Sequence, residues 1–436
     1  MLSLLNTTFT NAVGRGAGRV RTILNSLFNR ATFVESPECV ETTLEHPLAK
    51  KTSFSFTPSA YSRFILHAEV PKDGSGDMDF ERSGVGSRVN EAGIIEEVQN
   101  GGTPRIDHSD GCPYLSLEPQ STNLVEQSET FSNWSTELGR QVVTPNTIIS
   151  PDGNQTGSKL EVSSEASPTL RKLWVQKLVT VGDPYTFSVY IKKVDGQSGT
   201  GFLRITTGIN DTFDVSQAYT ATDQWQRISI TTDSAVSSQI RFLITGDADS
   251  QIYIWGGQIE ELPYATSYIP TSGAAATRSA EVAGANNVSH LINSAEGAIY
   301  YEGSALGATH TSNATISISD GTVNNRIYMY YTSAENQIRF RAVANGLNAC
   351  EKNIDLTDIT EVHKVLFLWT GTTFSIYING AFMASHDKGR SIGAGVMDKI
   401  SFNSGSGFKR WLGKVKGLRV LNIAPTAQES LSSTTL

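Results

Sequence analysis

Through its middle third the chain is written in short alternating runs. YTFSVYIKK, starting at Tyr185, puts Phe187, Val189 and Ile191 on one face and polar residues on the other, the period of a half-buried strand. Comparable runs occupy Gln141–Thr144, Lys159–Val162, Leu173–Thr180, Tyr185–Lys192, Phe202–Thr207, Gln226–Thr231, Gln239–Ile244 and Gln251–Gly256. PDGN, VGDP, DGQSG, TGIND, TDQ and GDADS lie between them, and each is rich in turn residues. Strands at this spacing, uninterrupted by any useful helical period, predict an antiparallel β-sandwich over residues 117–280.

A second series follows residues 281–295, a connection with one helical turn expected at Val288 to Ile292. AIYYEGSAL, ATISIS, RIYMYY, QIRFRAV, HKVLFLW, FSIYING, KISFNS and GLRVLN predict another β-sandwich over 281–436. Upstream, residues 51–116 read as a hairpin-rich collar. Phe54–Pro58 and Tyr61–Pro71 are strands stopped by proline, followed by turns at Gly84, Gly86, Gly93 and Gly101-Gly102. Residues 1–50 differ. Val20, Ile23, Leu24, Leu27 and Phe28 make one apolar stripe on an amphipathic helix, with Arg15, Arg19, Arg21 and Arg30 nearby and no acidic residue before Glu35. Such a helix packs on its own chain, docks on a partner protein or a bundle of sister chains, or lies on a membrane surface. The fold class expected is therefore mainly β: two antiparallel, jelly-roll-like β-sandwich domains preceded by a short helical N-terminal anchor and a hairpin-rich collar.

Two stretches bracket the first sandwich. LEPQSTNLVEQSETFSNW (Leu117–Trp134) leads in, and IYIWGGQIEELPYATSYIPTSG (Ile252–Gly273), running on to Thr277-Arg278, closes it. With the lead-in FERSGVGSRVNEAGIIEEVQNGGTPRIDH (Phe80–His108), this ordered set resembles a module common in virion proteins of tailed phages. The resemblance spans residues near 75–280 and implies a carbohydrate-binding-module-like sandwich. In the C-terminal part, Leu366, Leu368 and Trp369 followed by Ile376, Ile378, Asn379 and Gly380, and the later GKVKGLRVLNIAPTAQE, resemble laminin-G and concanavalin-A-like lectin sandwiches. Asn379-Gly380 is also a hairpin-turn signal by itself. These resemblances imply a structural virion protein (fibre, spike or decoration) on the virion surface, assembled in the host cytoplasm. Its expected partners are two copies of itself in a homotrimer, other virion proteins through the N-terminus, and host-surface polysaccharide.

Composition narrows the chemistry. A chain of 436 residues exceeds one ordinary core. The net charge of −8 argues against a nucleic-acid partner, which needs a basic face. No apolar run reaches the roughly 18 residues of a membrane span, and Met1 to Phe9 is too polar for a signal peptide. Cys39, Cys112 and Cys350 are far apart, in no metal-ligand spacing, and are expected as free thiols in a reducing cytoplasm. The seven histidines fall in no HExxH pattern, and there is no GxSxG or Walker loop, so neither a catalytic residue nor a cofactor or metal site is assigned. Glu96-Glu97 and Glu260-Glu261 are adjacent, so in a strand they face opposite ways rather than forming an acid–base pair. Asp247 and Asp249 suit Ca²⁺ or an ordinary turn equally.

Trp134, Trp174, Trp225, Trp255, Trp369 and Trp411 sit in or beside apolar runs and are expected mostly in cores. Candidate glycan-binding residues lie instead on loops of the second sandwich: Asp320, Asn324, Asn325 and Arg326 in one turn, and Asn379, His386 and Asp387 near another. The function expected is glycan binding without catalysis. The alternatives are a capsid or tail decoration or adaptor protein that takes no ligand, and a polysaccharide-degrading enzyme.

Overall fold

The computed structural model of the chain describes residues 32–33, 46–58, 60–98, 102–136, 141–163, 171–206, 215–309 and 314–436. The apolar stripe Val20, Ile23, Leu24, Leu27 and Phe28 lies outside the described residues. The fold is mainly β, built of antiparallel sheets in sandwich form. The chain divides into two compact units: residues 84–97 with 120–279, and residues 1–83, 98–119 and 280–436.

The unit of residues 84–97 and 120–279 faces two five-stranded sheets. One runs Ser135–Thr136, Lys172–Leu178, Gln239–Gly246, Thr200–Thr206, Val215–Thr220; the other Gln141–Ile148, Gly157–Val162, Gln251–Glu260, Tyr185–Lys193, Gln226–Thr232. Phe187, Val189 and Ile191 all point into the core between them. The closing bracket is welded from inside by polar side chains. The buried Asn123 amide donates to the Gly257 and Ile269 carbonyls and accepts from the Val125 and Ile259 amides. Glu260 accepts from Ser121 Oγ at 2.6 Å and from the Thr266 amide at 2.9 Å, and Arg278 donates to Thr266 and Ser267. Glu260 is buried at the end of its strand, and Glu261, just past the strand, is exposed.

The other unit packs a ten-stranded sheet on an eight-stranded one. The first runs Thr32–Phe33, Ala60–Ser62, Ile65–Leu66, Met78–Glu81, Val282–Ala285, Lys399–Ser401, Ala314–Ser319, Arg326–Tyr331, Gln337–Ala344, Leu347–Asp355. The second runs Ala381–Asp387, Thr373–Ile378, His363–Thr370, Glu296–Ala305, Gly413–Leu421, Tyr114–Leu117, Ile106–Asp107, with Thr52–Phe56 also pairing Gly413–Leu421. Residues 51–116 are thus shared out: most of their strands enter these two sheets, and Gly86–Val89 with Ile95–Val98 forms a hairpin of its own. Ser289–Leu291 makes the expected single helical turn. An unforeseen helix, Ala427–Thr434, starts at Thr426, whose hydroxyl accepts from the Glu429 amide while the Glu429 carboxylate accepts back from the Thr426 amide.

Cys112 is disulfide-bonded, which corrects the expectation of a free thiol there and removes that support for a reducing compartment. Cys350 is free, and burial pushes its thiol up to about 12.

Four buried charged side chains tie the second unit together. Arg105 donates from Nε to Glu281 Oε1 and from Nη2 to Glu281 Oε2, both at 2.6 Å, and reaches Glu118 at 2.9 Å. Arg82 donates to Glu281 Oε1 at 3.2 Å and to the Val98 carbonyl at 3.1 Å. Burial alone disfavours the Arg105 charge, but Glu118 and Glu281 outweigh it and push its pKa up. Glu281→Ala leaves two guanidiniums short of a partner in the interior and should cost about 3–5 kcal/mol in denaturant unfolding; a loss below about 1 kcal/mol would mean the cluster is not what holds these segments. A fragment beginning at Ala283 lacks Met78–Glu81, Thr52–Phe56 and Tyr114–Leu117, leaving the ladder edges of residues 283–285 and of Gly413–Leu421 bare. That fragment should be insoluble or melt without cooperativity, whereas the full chain melts cooperatively; a sharp calorimetric transition from the fragment alone would show these strands to be dispensable.

Candidate functional site

On the ten-stranded sheet, apolar residues face the core and their alternates face out. Met78 and Phe80 point in; Asp79 and Glu81 are exposed. The register sets one outward row across the sheet: Asp79 opposite Gly284, Gly284 opposite Ser401, Ser401 opposite Ser317, Ser317 opposite Tyr328, Tyr328 opposite Arg341. The row is large at its far end and small in its middle. Tyr328 and Tyr330 stack at 5.7 Å with 13° between their planes, and the Arg326 guanidinium lies 4.4 Å from the Tyr328 ring. Gly284, Ser401 and Ser317 leave the middle low.

The loop from Phe402 to Trp411 folds over part of this depression. Ser317 Oγ donates to the Asn403 carbonyl at 2.7 Å and Arg326 Nη1 to the Ser404 carbonyl at 2.9 Å. Asn403 Oδ1 accepts from the Gly405 and Gly407 amides, and the Ser404 amide donates to the Phe408 carbonyl. Gly405 has φ +83°, and a Cβ there would overlap Ser319 Oγ, so this position needs glycine on both counts.

What remains open is a trench of about 340 Å³. Asp79 and Glu81 form one wall, Lys399 and Ser401 face them, and Asn403, Ser406 and the glycines of the loop close the end. Among the described residues, neither Asp79, Glu81 nor Lys399 is engaged in an ion pair. The trench therefore offers acceptors, a cationic donor and hydroxyls within one small space. Beside it, on the same loop, Phe408 is 75% exposed. Polar groups that exchange hydrogen bonds with hydroxyls, next to a bare aromatic ring, form a surface suited to a hydroxyl-rich ring compound.

The turn of Asp320, Asn324, Asn325 and Arg326 adjoins the trench through Gly321, but its side chains are largely occupied. Asp320 accepts from the Thr322 amide and hydroxyl and from Asn325 Nδ2, at 2.7–2.9 Å, and its carboxyl is held below the usual range. Asn325 Oδ1 accepts from the Asn345 amide; Asn324 is exposed. Asn379, His386 and Asp387 lie on the other sheet. Asn379, at φ +49°, makes the hairpin turn and accepts from the Lys364 amide at 3.0 Å, at the opposite end of its hairpin from His386 and Asp387. Asp387 accepts from Thr372, Thr373 and the Gly389 amide; burial and Lys388 push the His386 pKa down. The structure thus brings the first set to the trench margin and does not bring the second set there. Asp79, Glu81, Gly284, Lys399, Ser401 and Phe408 were not singled out from sequence. Asp247 accepts from Thr200 and Asp249 has φ +58°, so both shape a turn, and no group of three metal-ligating side chains occurs among the described residues.

Residues 305–429 match the family model of the concanavalin A-like lectin/glucanases superfamily. The match takes in Gly321, Lys399, Ser401 and the whole covering loop but not Asp79, Glu81 or Gly284, so this part of the unit is similar to a lectin-type domain. No curated protein matches the chain. Among solved structures, the chain is similar to the CBM40 of the Ruminococcus gnavus IT-sialidase bound to α2,3-sialyllactose, at 11% identity, covering 32% of this chain and 83% of that one with a TM-score of 0.28. It is similar to a heptameric SAP-like pentraxin from Limulus polyphemus at 18% identity, 33% and 71% coverage and a TM-score of 0.27. It is also similar to domain 4 of the arabinanase AbnA of Geobacillus stearothermophilus, at 11% identity, 40% and 81% coverage and a TM-score of 0.29. At such scores these likenesses bear on neither ligand nor activity.

Gly405→Ala forces both a left-handed backbone and a contact with Ser319, and should lower stability by about 1–2 kcal/mol. Thermal unfolding of the variant checks this; an unchanged midpoint would mean the loop is free to lift off the sheet.

Proposed function

We propose that the protein binds carbohydrate in the trench of its lectin-type unit, without cleaving it, and does so as a surface component of a tailed-phage virion. The binding reading rests on one observation: Asp79 and Glu81, in no ion pair among the described residues, face Lys399 and Ser401 beside the exposed Phe408, and the last three lie within residues 305–429, which match a lectin family model. Acidic oxygens accept from sugar hydroxyls, Lys399 donates to them, and the Phe408 face packs on the apolar side of a pyranose. The virion reading rests on the ordered motifs from Phe80 to Arg278 that resemble phage virion modules. In it the N-terminal stripe and residues 76–116 join three copies and attach them to the particle.

A glycan array probed with the full chain tests the binding. A hydroxyl-rich oligosaccharide should be retained, and Phe408→Ala or Glu81→Gln should weaken it about fivefold or more, with an unchanged melting temperature because both side chains are exposed. No retained glycan, or binding indifferent to both changes, rules out the trench; release of new reducing ends would establish the enzyme instead. Light scattering that gives a monomer removes the trimer.

A further inference from the structure

The unit of residues 84–97 and 120–279 holds a pocket of about 370 Å³, within the range of small-molecule sites. Its floor is aromatic. Trp255 and Tyr268 pack with ring centroids 4.5 Å apart, and each is anchored at its polar end. Trp255 Nε1 donates to Thr156 Oγ1 at 2.9 Å, and the Tyr268 hydroxyl donates to Glu129 Oε1 at 2.9 Å. The walls are the hairpin of residues 86–98 and the Ser150–Asn154 turn, joined where the Ile95 amide donates to the Pro151 carbonyl at 2.9 Å.

The ionised groups on this lining all have one sign. Glu96, Glu97, Glu129 and Asp152 line the pocket, and no lysine, arginine or histidine does. Glu96 is matched by Arg88 at 2.8 Å. Glu97, Glu129 and Asp152 have no cationic partner among the described residues. Burial, with Asp152 adding to it, pushes the Glu129 pKa up. The carboxylates do not converge as a chelate, since no group of three metal-ligating side chains occurs among the described residues. They are spread around a cavity with an apolar floor, an arrangement that favours an organic cation over a bare metal ion.

We propose that this pocket binds a small ligand carrying a protonated amine. The ammonium sits against Glu129 and Asp152, and the body of the ligand lies against Ile94 and Pro270, above the buried Trp255 and Tyr268. This site is separate from the trench and does not rest on the carbohydrate reading given above.

Calorimetric titration of the full chain with glucosamine, cadaverine, N-acetylglucosamine, glucuronate and calcium chloride tests it. Glucosamine, cadaverine or both should bind, with N-acetylglucosamine at least about tenfold weaker. Both amines binding shows that the ammonium suffices; glucosamine alone shows that a sugar ring is also needed. Glu129→Gln should weaken amine binding about tenfold or more while leaving the melting temperature equal or higher, because the ionised carboxylate is strained by burial. Phe408→Ala should leave amine binding intact, so a failure of the trench does not touch this result. With the trench disabled by Phe408→Ala, equal binding of N-acetylglucosamine, preference for glucuronate, uptake of calcium that Glu129→Gln abolishes, or no binding of either amine overturns the proposal.

Discussion

The cluster of Arg82, Arg105, Glu118 and Glu281 is the constraint on which the larger unit turns. Its four members come from chain segments separated by up to 199 residues, and all are buried. Two guanidiniums against two carboxylates leave the cluster neutral, so burial is tolerable only when every member is present. The fork of Arg105 meets Glu281 with two parallel bonds, a geometry that lysine does not reproduce. With these charges matched, Met78–Glu81 can pair Val282–Ala285, and Tyr114–Leu117 can pair Gly413–Leu421. The cluster also gives a physical meaning to the motifs. Arg82 belongs to FER, Arg105 to PRID and Glu118 to LEPQ, three pieces of the phage-like pattern; Glu281 follows its closing TR. In the smaller unit Asn123, Glu260 and Arg278 play the same part in their own buried weld.

The long strands were legible because alternation is a local property. Phe187, Val189 and Ile191 shared a face in sequence and share a core in space. The partners of short strands were not legible. Nothing in MDFE specifies that its neighbour lies two hundred residues on, because a period of two reports which face is buried and not which edge is joined. Residues 51–116 looked like a collar for that reason. VSQAYT at Val215–Thr220 carries little alternation because it is an edge strand with mostly exposed positions. The C-terminal helix did carry a local signal, the Thr426–Glu429 capping pair, which the surrounding strand pattern overshadowed.

The site was less legible than the fold. Asp320, Asn325 and Asn379 fit the pattern of a hydroxyl-binding site, short polar side chains on loops. The same side chains fold back on neighbouring amides and make turns, and here that use takes most of their capacity. Gly284, Ser401 and Lys399 are unremarkable in sequence. They become a site only when cross-strand register sets them in one row beside two carboxylates. Phe408 had a readable signal, an aromatic residue inside a Gly/Ser turn, where no core-facing period accounts for it.

The trench is also prepared before any ligand arrives. Its floor is sheet, and the small side chains along that floor have little rotamer freedom to lose. Its loop is held by its own hydrogen bonds from Asn403 and by the donations of Ser317 and Arg326. Ordering costs that usually subtract from affinity are therefore met in folding, which leaves Phe408 and the charged walls as the parts still able to move. Affinity at such a surface should depend on how well those few groups meet the ligand rather than on the area covered. A sheet face edited by glycine and serine thus supplies the position, and a few exposed side chains supply the discrimination.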